Sequence, residues 1–272
     1  MPKGKRGSID SPIRQRSAET CRLSTFSTAE GIIVPESTAS EIGLLEGIAT
    51  TRAIRRYTDE PVSGEDLAAI LFAATRAPSG SNRQPWRFIV LRDDPKSLEA
   101  KRLLGGAARR MWEFKRRGDR YDEGSGQREG SAKARMAGVM ERFAEHFEDA
   151  PIVILPCFLR YRDPSPLEGA SIYPCCQNLL LAARARGLGG VLTGFQSGVE
   201  KELKLLLDIP DSAVLSACIP LGHPEGSHGP VRRRPLAEFV FEGGWGKTPA
   251  WAVDPPGTRY ARAGPPGHEN VD

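Results

Sequence analysis

Residues 77–86 read Ala77-Pro78-Ser79-Gly80-Ser81-Asn82-Arg83-Gln84-Pro85-Trp86, and no regular element accommodates them. Two prolines remove backbone donors and fix φ, while Ser, Asn and Gln side chains compete with the main chain for hydrogen bonds. Upstream, Ser63 stands three residues before Asp66 in the manner of a capping box, and Leu67, Ile70, Leu71 and Ala74 follow at helical spacing until Pro78 stops the run. Downstream, Trp86–Leu91 is rich in aromatic and β-branched residues and reads as a strand. The decamer is therefore a polar connection lodged between a helix and a strand. Propensity alone makes it a loop and asks nothing more of it.

Working outward, residues 151–159 (PIVILPCFL) and 213–221 (AVLSACIPL) read as strands buried on both faces. Ser40 is a candidate cap for a helix carrying Leu44, Leu45 and Ile48 on one face. Residues 131–147 place Met136, Val139, Met140, Phe143 and Phe147 at spacings of three and four, and residues 171–186 form a further helix with Cys175 and Cys176 as core filling. Ser197 with Glu200 opens another helix that closes at Pro210. Residues 118–130 read as a mobile loop, Lys115-Arg116-Arg117 as a solvated turn, and residues 238–242 as a strand without a partner in its own chain. This order is α+β. Residues 1–38 form a flexible N-terminal tail, 39–247 one domain, and 248–272 a Pro/Gly-rich C-terminal tail.

Composition excludes several classes of function. With 272 residues, 39% of them hydrophobic, the chain supports one sizeable core, and a net charge of +4 is thin for a dedicated nucleic-acid binder. No apolar run approaches the roughly 18 residues of a membrane span and no secretory signal is visible, so a cytoplasmic protein is expected. Five cysteines, Cys21, Cys157, Cys175, Cys176 and Cys218, lack Cys-x-x-Cys spacing and are expected as reduced thiols. Gly-x-Ser-x-Gly and His-Glu-x-x-His are both absent, and histidines 146, 223, 228 and 268 have no partners at ligand spacing, so no metal is expected. Gly246-Lys247-Thr248 imitates the end of a phosphate loop, but Phe241 stands where its first glycine belongs and Pro249 blocks the following helix.

Two more segments join the decamer. Thr51-Arg52-Ala53-Ile54-Arg55-Arg56-Tyr57 concentrates arginine after the first helix, and Gly187-Leu188-Gly189-Gly190-Val191-Leu192-Thr193-Gly194-Phe195 repeats glycines that let backbone approach something closely. Together these segments resemble the FMN-dependent nitroreductase family. Residues 51–57 with Pro61-Val62 are similar to its Arg-Arg-Ser-x-Arg-x-Phe…Pro-Val, and residues 77–86 match its Ala-Pro-Ser-x-x-Asn-x-Gln-Pro-Trp almost throughout. Ile219-Pro220-Leu221-Gly222-His223-Pro224 resembles its Ile-Pro-x-Gly-x-Pro, and Arg232-Arg233-Arg234-Pro235-Leu236 its basic C-terminal motif. The resemblance covers about residues 42–246. Thr51 replaces the usual first arginine and Ala53 the usual serine.

The resemblance implies an intertwined homodimer with a central, mostly antiparallel sheet flanked by helices, and FMN bound at the subunit interface. It implies Arg52, Arg232 and Arg234 as phosphate ligands, Arg55 as the cation near flavin N1 and the C2 carbonyl, and Pro78, Ser79, Gly80, Asn82 and Gln84 as the loop against the ring. Ala53 and Leu192 complete the cofactor set, with backbone N–H of Thr193 or Gly194 at flavin N5. The residue chemistry fits, because a phosphate dianion demands several charge-assisted donors and arginine forks supply them. A fixed cation beside N1 favours hydride uptake. The implied reaction is ping-pong transfer from NADPH or NADH to a small-molecule acceptor, a nitro compound, quinone or activated alkene, with no catalytic side chain. The alternatives are a same-fold flavoenzyme that dehydrogenates, dehalogenates or fragments flavin, and a non-enzymatic nucleic-acid binder.

Overall fold

A computed structural model describes residues 26–29, 32–35 and 42–261. Within the stretch expected as a tail, β1 (Phe26–Ala29) and β2 (Ile32–Pro35) pair antiparallel, Phe26 opposite Pro35. The rest of residues 1–41, with Ser40 and Cys21, lies outside the described residues, as do residues 262–272.

In the main unit α1 (Leu44–Thr50) starts at Gly43 with no side-chain cap, and its apolar residues Leu44, Leu45 and Ile48 are all exposed. Ser63 caps α2 (Gly64–Ala74): its Oγ accepts the Asp66 N–H at 2.9 Å, and the Asp66 carboxylate accepts the Ser63 hydroxyl at 2.6 Å in place of the backbone N–H of a full capping box. After β3 (Trp86–Leu91) comes a helix the sequence reading lacked, α3 (Pro95–Gly118), capped by Asp94. Its buried face is mostly small, with Ala100, Gly105, Ala107 and Ala108 around Leu104 and Trp112, so few large apolar residues mark it. Lys115, Arg116 and Arg117 are solvated as expected but form its last helical turn, where cations complement the helix dipole.

Residues 119–130 are mostly exposed turns, with a 3-10 turn at Gly124–Gln127, anchored by Tyr121, which is buried with its ring 5.2 Å from Trp112. Ser131 caps α4 (Ala132–Glu145), which buries Phe143 while Met136 and Val139 stay exposed. The chain continues through β4 (Ile152–Leu159), α5 (Gly169–Ala185), β5 (Gly189–Gly190) and α6 (Glu200–Leu206), then β6 (Ala213–Leu215) and β7 (Ile219–Gly222). Ser197 does not cap α6; its hydroxyl donates to the Gly194 carbonyl at 2.8 Å, and Val199 takes the cap position.

β4 is central, in the order β3-β4-β7-β5 with β6 also against β4, and every pairing is antiparallel. Alternate residues of β4 serve two cores. Val153, Leu155 and Cys157 pack with α3 and α4, while Ile152, Ile154 and Phe158 pack with α2 and α5, giving helices on both faces of the sheet.

The single strand expected over 213–221 is broken. Leu215 opposes Cys157 and Ile219 opposes Ile154, so three steps along β4 face four, which is a bulge. It falls opposite Pro156, which has no N–H to give; the Ser216 N–H donates to its carbonyl at 2.9 Å. Cys218 instead exchanges backbone bonds with Thr193, at 2.9 and 3.0 Å. The strand expected over 238–242 is also absent: a 3-10 turn at Leu236–Glu238 leads into irregular chain with Phe239 exposed. The last described residues return, Ala261 N–H donating to the Arg233 carbonyl at 2.9 Å. Among the described residues no helix is long and apolar enough to cross a membrane.

Candidate functional site

The arginine segment lies along the free edge of β5. Ile54 N–H donates to the Gly190 carbonyl at 3.0 Å, and the approach is so close that a Cβ on Gly189 would sit 2.4 Å from Ile54 Cγ1. A Cβ on Gly190 would sit 2.7 Å from the Pro220 carbonyl oxygen. These glycines thus answer to chain packing on both sides. Tyr57 locks the ledge with its hydroxyl, 2.8 Å from the Ile54 carbonyl oxygen and 3.1 Å from that of Pro220; burial holds its pKa far above the usual 10, so it stays a donor. The returning chain binds α1 through Gly229 N–H to the Thr50 carbonyl at 3.1 Å and Val231 N–H to that of Ala49 at 3.0 Å. That pairing lays the segment that leads to Arg232 along the end of α1, which the arginine segment follows.

Arg55 is half-buried, its guanidinium 6.0 Å over the Phe143 ring, and it has no hydrogen bond or ion pair among the described residues. Burial lowers its pKa below the usual arginine range, the sign of a desolvated cation that an anionic or electron-rich group would stabilise. Arg52 and Arg232 are exposed and likewise carry no ion pair among the described residues. Arg234 differs: it pairs with Glu238 and lies 5.7 Å over Phe239. Ala53 is exposed and offers no side-chain donor.

Of the two expected N5 donors, the structure leaves one free. Thr193 N–H and hydroxyl both go to the Cys218 carbonyl, at 2.9 and 2.8 Å. Gly194 N–H has no acceptor among the described residues, and a Cβ there would meet nothing within 4 Å. Leu192 beside them is 40% exposed. Phe195 follows, buried, its ring 5.9 Å from Phe143, so the Gly194 turn and Arg55 share one aromatic support.

The decamer is strained and held from within. Ser81, Asn82 and Gln84 have φ of 51°, 50° and 50°, a left-handed conformation costing about 1–3 kcal/mol for a residue other than glycine and least for asparagine. Ser79 Oγ accepts the Gln84 N–H at 3.0 Å, the Gln84 side-chain amide donates to Asn82 Oδ1 at 3.2 Å, and Gly80 N–H reaches Ser171 Oγ on α5 at 3.3 Å. Pro78 is exposed. No hydrogen bond, ion pair or ring contact among the described residues joins this loop to the arginines or to Gly194. Within one chain the expected residues therefore form two groups.

A cavity of about 340 Å³, lined by Met111, Trp112, Phe114, Met140 and Phe195 with Arg110 and Lys115, adjoins the Gly194 turn through Phe195. No cluster of three His, Cys, Asp or Glu able to hold a metal occurs among the described residues. Burial pushes Cys157 up to about 11 and Cys175 and Cys176 up to about 12, so these thiols stay protonated and unreactive at neutral pH. Sequence reasoning missed Tyr57 and His228 as structural partners of the ledge, since nothing in their spacing distinguishes them. A half-buried cation without a counterion, two further unpaired arginines and a free backbone donor fit the demands of FMN.

The profile of the nitroreductase family matches residues 48–223. An NADH dehydrogenase of Thermus thermophilus is 31% identical over 213 residues, covering 70% of this chain and 91% of that protein. A nitrobenzene nitroreductase of Ectopseudomonas oleovorans is 30% identical over 202 residues, covering 66% and 86%. A crystal structure from Desulfovibrio desulfuricans, solved in complex with FMN, aligns at 31% identity with a TM-score of 0.55, covering 76% of this chain and 99% of that one.

Proposed function

The chain belongs to the nitroreductase family, and from that premise we propose that it is an FMN-dependent oxidoreductase that takes hydride from NADPH or NADH and reduces nitro compounds, quinones or activated alkenes by a ping-pong mechanism. The observation that carries the reading is Arg55, a half-buried guanidinium without a counterion, on the aromatic support that it shares with the free Gly194 N–H. When bound, FMN supplies the capacity to accept and return a hydride. The protein's part is to bind and bias. Arg52 and Arg232 hold the phosphate, with Arg234 joining if it leaves Glu238, and the Arg55 cation favours the electron-rich reduced ring. Gly194 N–H donates at N5. Pro78, Ser79, Gly80, Asn82 and Gln84 complete the ring site, and Ala53 and Leu192 line it.

Because no hydrogen bond, ion pair or ring contact among the described residues joins the loop of residues 78–84 to Arg52, Arg55, Arg232 or Arg234, the reading favours a homodimer in which each site draws on both subunits. Exposed Leu44, Leu45 and Ile48 on α1, with Phe239 and Trp245, give such an interface its apolar surface. Buried, protonated thiols fit a cytoplasmic setting. Steady-state NADPH oxidation with a nitroaromatic and with a quinone tests the mechanism. Parallel double-reciprocal lines are expected, whereas intersecting lines would replace ping-pong by a ternary complex.

A further inference from the structure

The backbone of Arg52 is tied to the sheet by one imidazole. Nδ1 of His228 lies 3.2 Å from the Arg52 backbone nitrogen, and its Nε2 lies 3.2 Å from the Leu188 carbonyl oxygen. The backbone N–H donates, so Nδ1 must present its lone pair; a carbonyl only accepts, so Nε2 must carry the proton. Only the neutral Nε2–H tautomer satisfies both. A proton on Nδ1 would set a donor against a donor. The ring also packs on β5, where a Cβ on Gly189 would come within 3.1 Å of Nε2. It thus joins the arginine segment, the approach to β5 and the returning chain at a single point.

We propose that His228 is a positioning residue for the FMN phosphate site: neutral, it holds Arg52 on the edge of β5, and its protonation releases that hold and weakens FMN binding in mild acid. The proposal rests on the reading of Arg52 as a phosphate ligand. The surroundings keep the ring neutral near pH 7, for burial lowers its pKa from 6.5, the Leu188 carbonyl opposes that change, and the charges of Arg184 on α5 and of Arg52 reinforce it. Glu225, on the same returning segment as His228, faces Arg56 at 3.6 Å instead. The sign follows: a histidine whose folded pKa is depressed contributes fully above about pH 6.5, and the contribution is lost as the pH falls through the lower folded value.

Two substitutions separate the bonds. In His228→Asn the side-chain oxygen can take the place of Nδ1 and accept from Arg52 without titrating, whereas in His228→Gln the amide can reach Leu188 but leaves the Arg52 N–H unpaired. The measurement is FMN affinity by flavin fluorescence quenching at about pH 8 and about pH 5, the two ends of the histidine range, with a circular dichroism melt of each apoprotein to establish that it is folded. At the higher pH His228→Gln should weaken FMN roughly two- to tenfold, the value of one net hydrogen bond, and His228→Asn should bind nearly as wild type does. On acidification the FMN phosphate itself takes up a proton near pH 6 in all three proteins. Wild type should nevertheless lose more affinity than His228→Asn and converge on His228→Gln. Parallel losses in all three, or wild-type affinity in His228→Gln at the higher pH, overturn the role of His228 and leave the FMN site standing. If His228→Asn does not fold, the convergence of wild type on His228→Gln decides. A wild-type protein that binds no FMN at either pH overturns this proposal and the FMN reading together.

Discussion

Arg55 and Gly194 are the residues whose chemistry is least explained by their own chain, and each invites a substitution. Replacing Arg55 by Met keeps the stem over Phe143 and removes the charge. With FMN retained, reduction by NADPH should slow by about 1.5–3 kcal/mol, roughly ten- to a hundredfold, the worth of a charge-assisted contact. An unchanged rate in a folded, flavin-loaded variant would take Arg55 away from the reacting edge. Gly194 has φ −105° and open space where a Cβ would be, so Gly194→Ala should fold and reduce nearly as wild type does. Gly194→Pro deletes an N–H that has no acceptor among the described residues and should slow flavin reduction. If both variants reduce alike, the N5 donor lies elsewhere. Cys175→Ala and Cys176→Ala should leave flavin reduction largely intact, since burial keeps both thiols protonated.

At the scale of elements, the glycine pair of β5 carries the clearest packing prediction. A methyl on Gly190 would meet the Pro220 backbone oxygen at 2.7 Å, and backbone in a sheet cannot swing aside, so Gly190→Ala should lower stability by about 1–3 kcal/mol in a urea melt. Gly198→Ala, whose methyl would sit 3.7 Å from Ala107 Cβ, is the matched control and should melt as wild type does. Equal midpoints for the two would contradict the close approach of Ile54, Gly190 and β7. Elements with large apolar residues at regular spacing, such as α2, β3 and β4, were legible in the sequence. α3 was not, because only Leu104 and Trp112 among its buried side chains are large and apolar, and the break in the 213–221 strand was not, because it depends on Pro156 in a different strand. The arginines of the site were legible as types, while the engagement of Thr193 by Cys218 is a tertiary fact with no local signal.

Over the whole molecule the expected site residues fall into two groups, and large apolar side chains stay exposed: Leu45 at 80%, Phe114 at 81% and Trp245 at 93%. These are side chains that the proposed dimer interface would cover. The protein should scatter light as a dimer at micromolar concentration, and Leu45→Lys should shift it toward monomer with loss of FMN; a wild-type monomer that keeps its flavin would show that one chain suffices. The central claim is that this fold holds FMN and passes hydride through it. Its most direct test is the visible absorbance of the purified protein under anaerobic conditions, before and after NADPH or NADH. The account predicts flavin bands that survive purification, belong to FMN on heat release, and bleach on addition of the nucleotide. A colourless protein that takes up no FMN when it is supplied, or a yellow one that neither nucleotide bleaches, would contradict it.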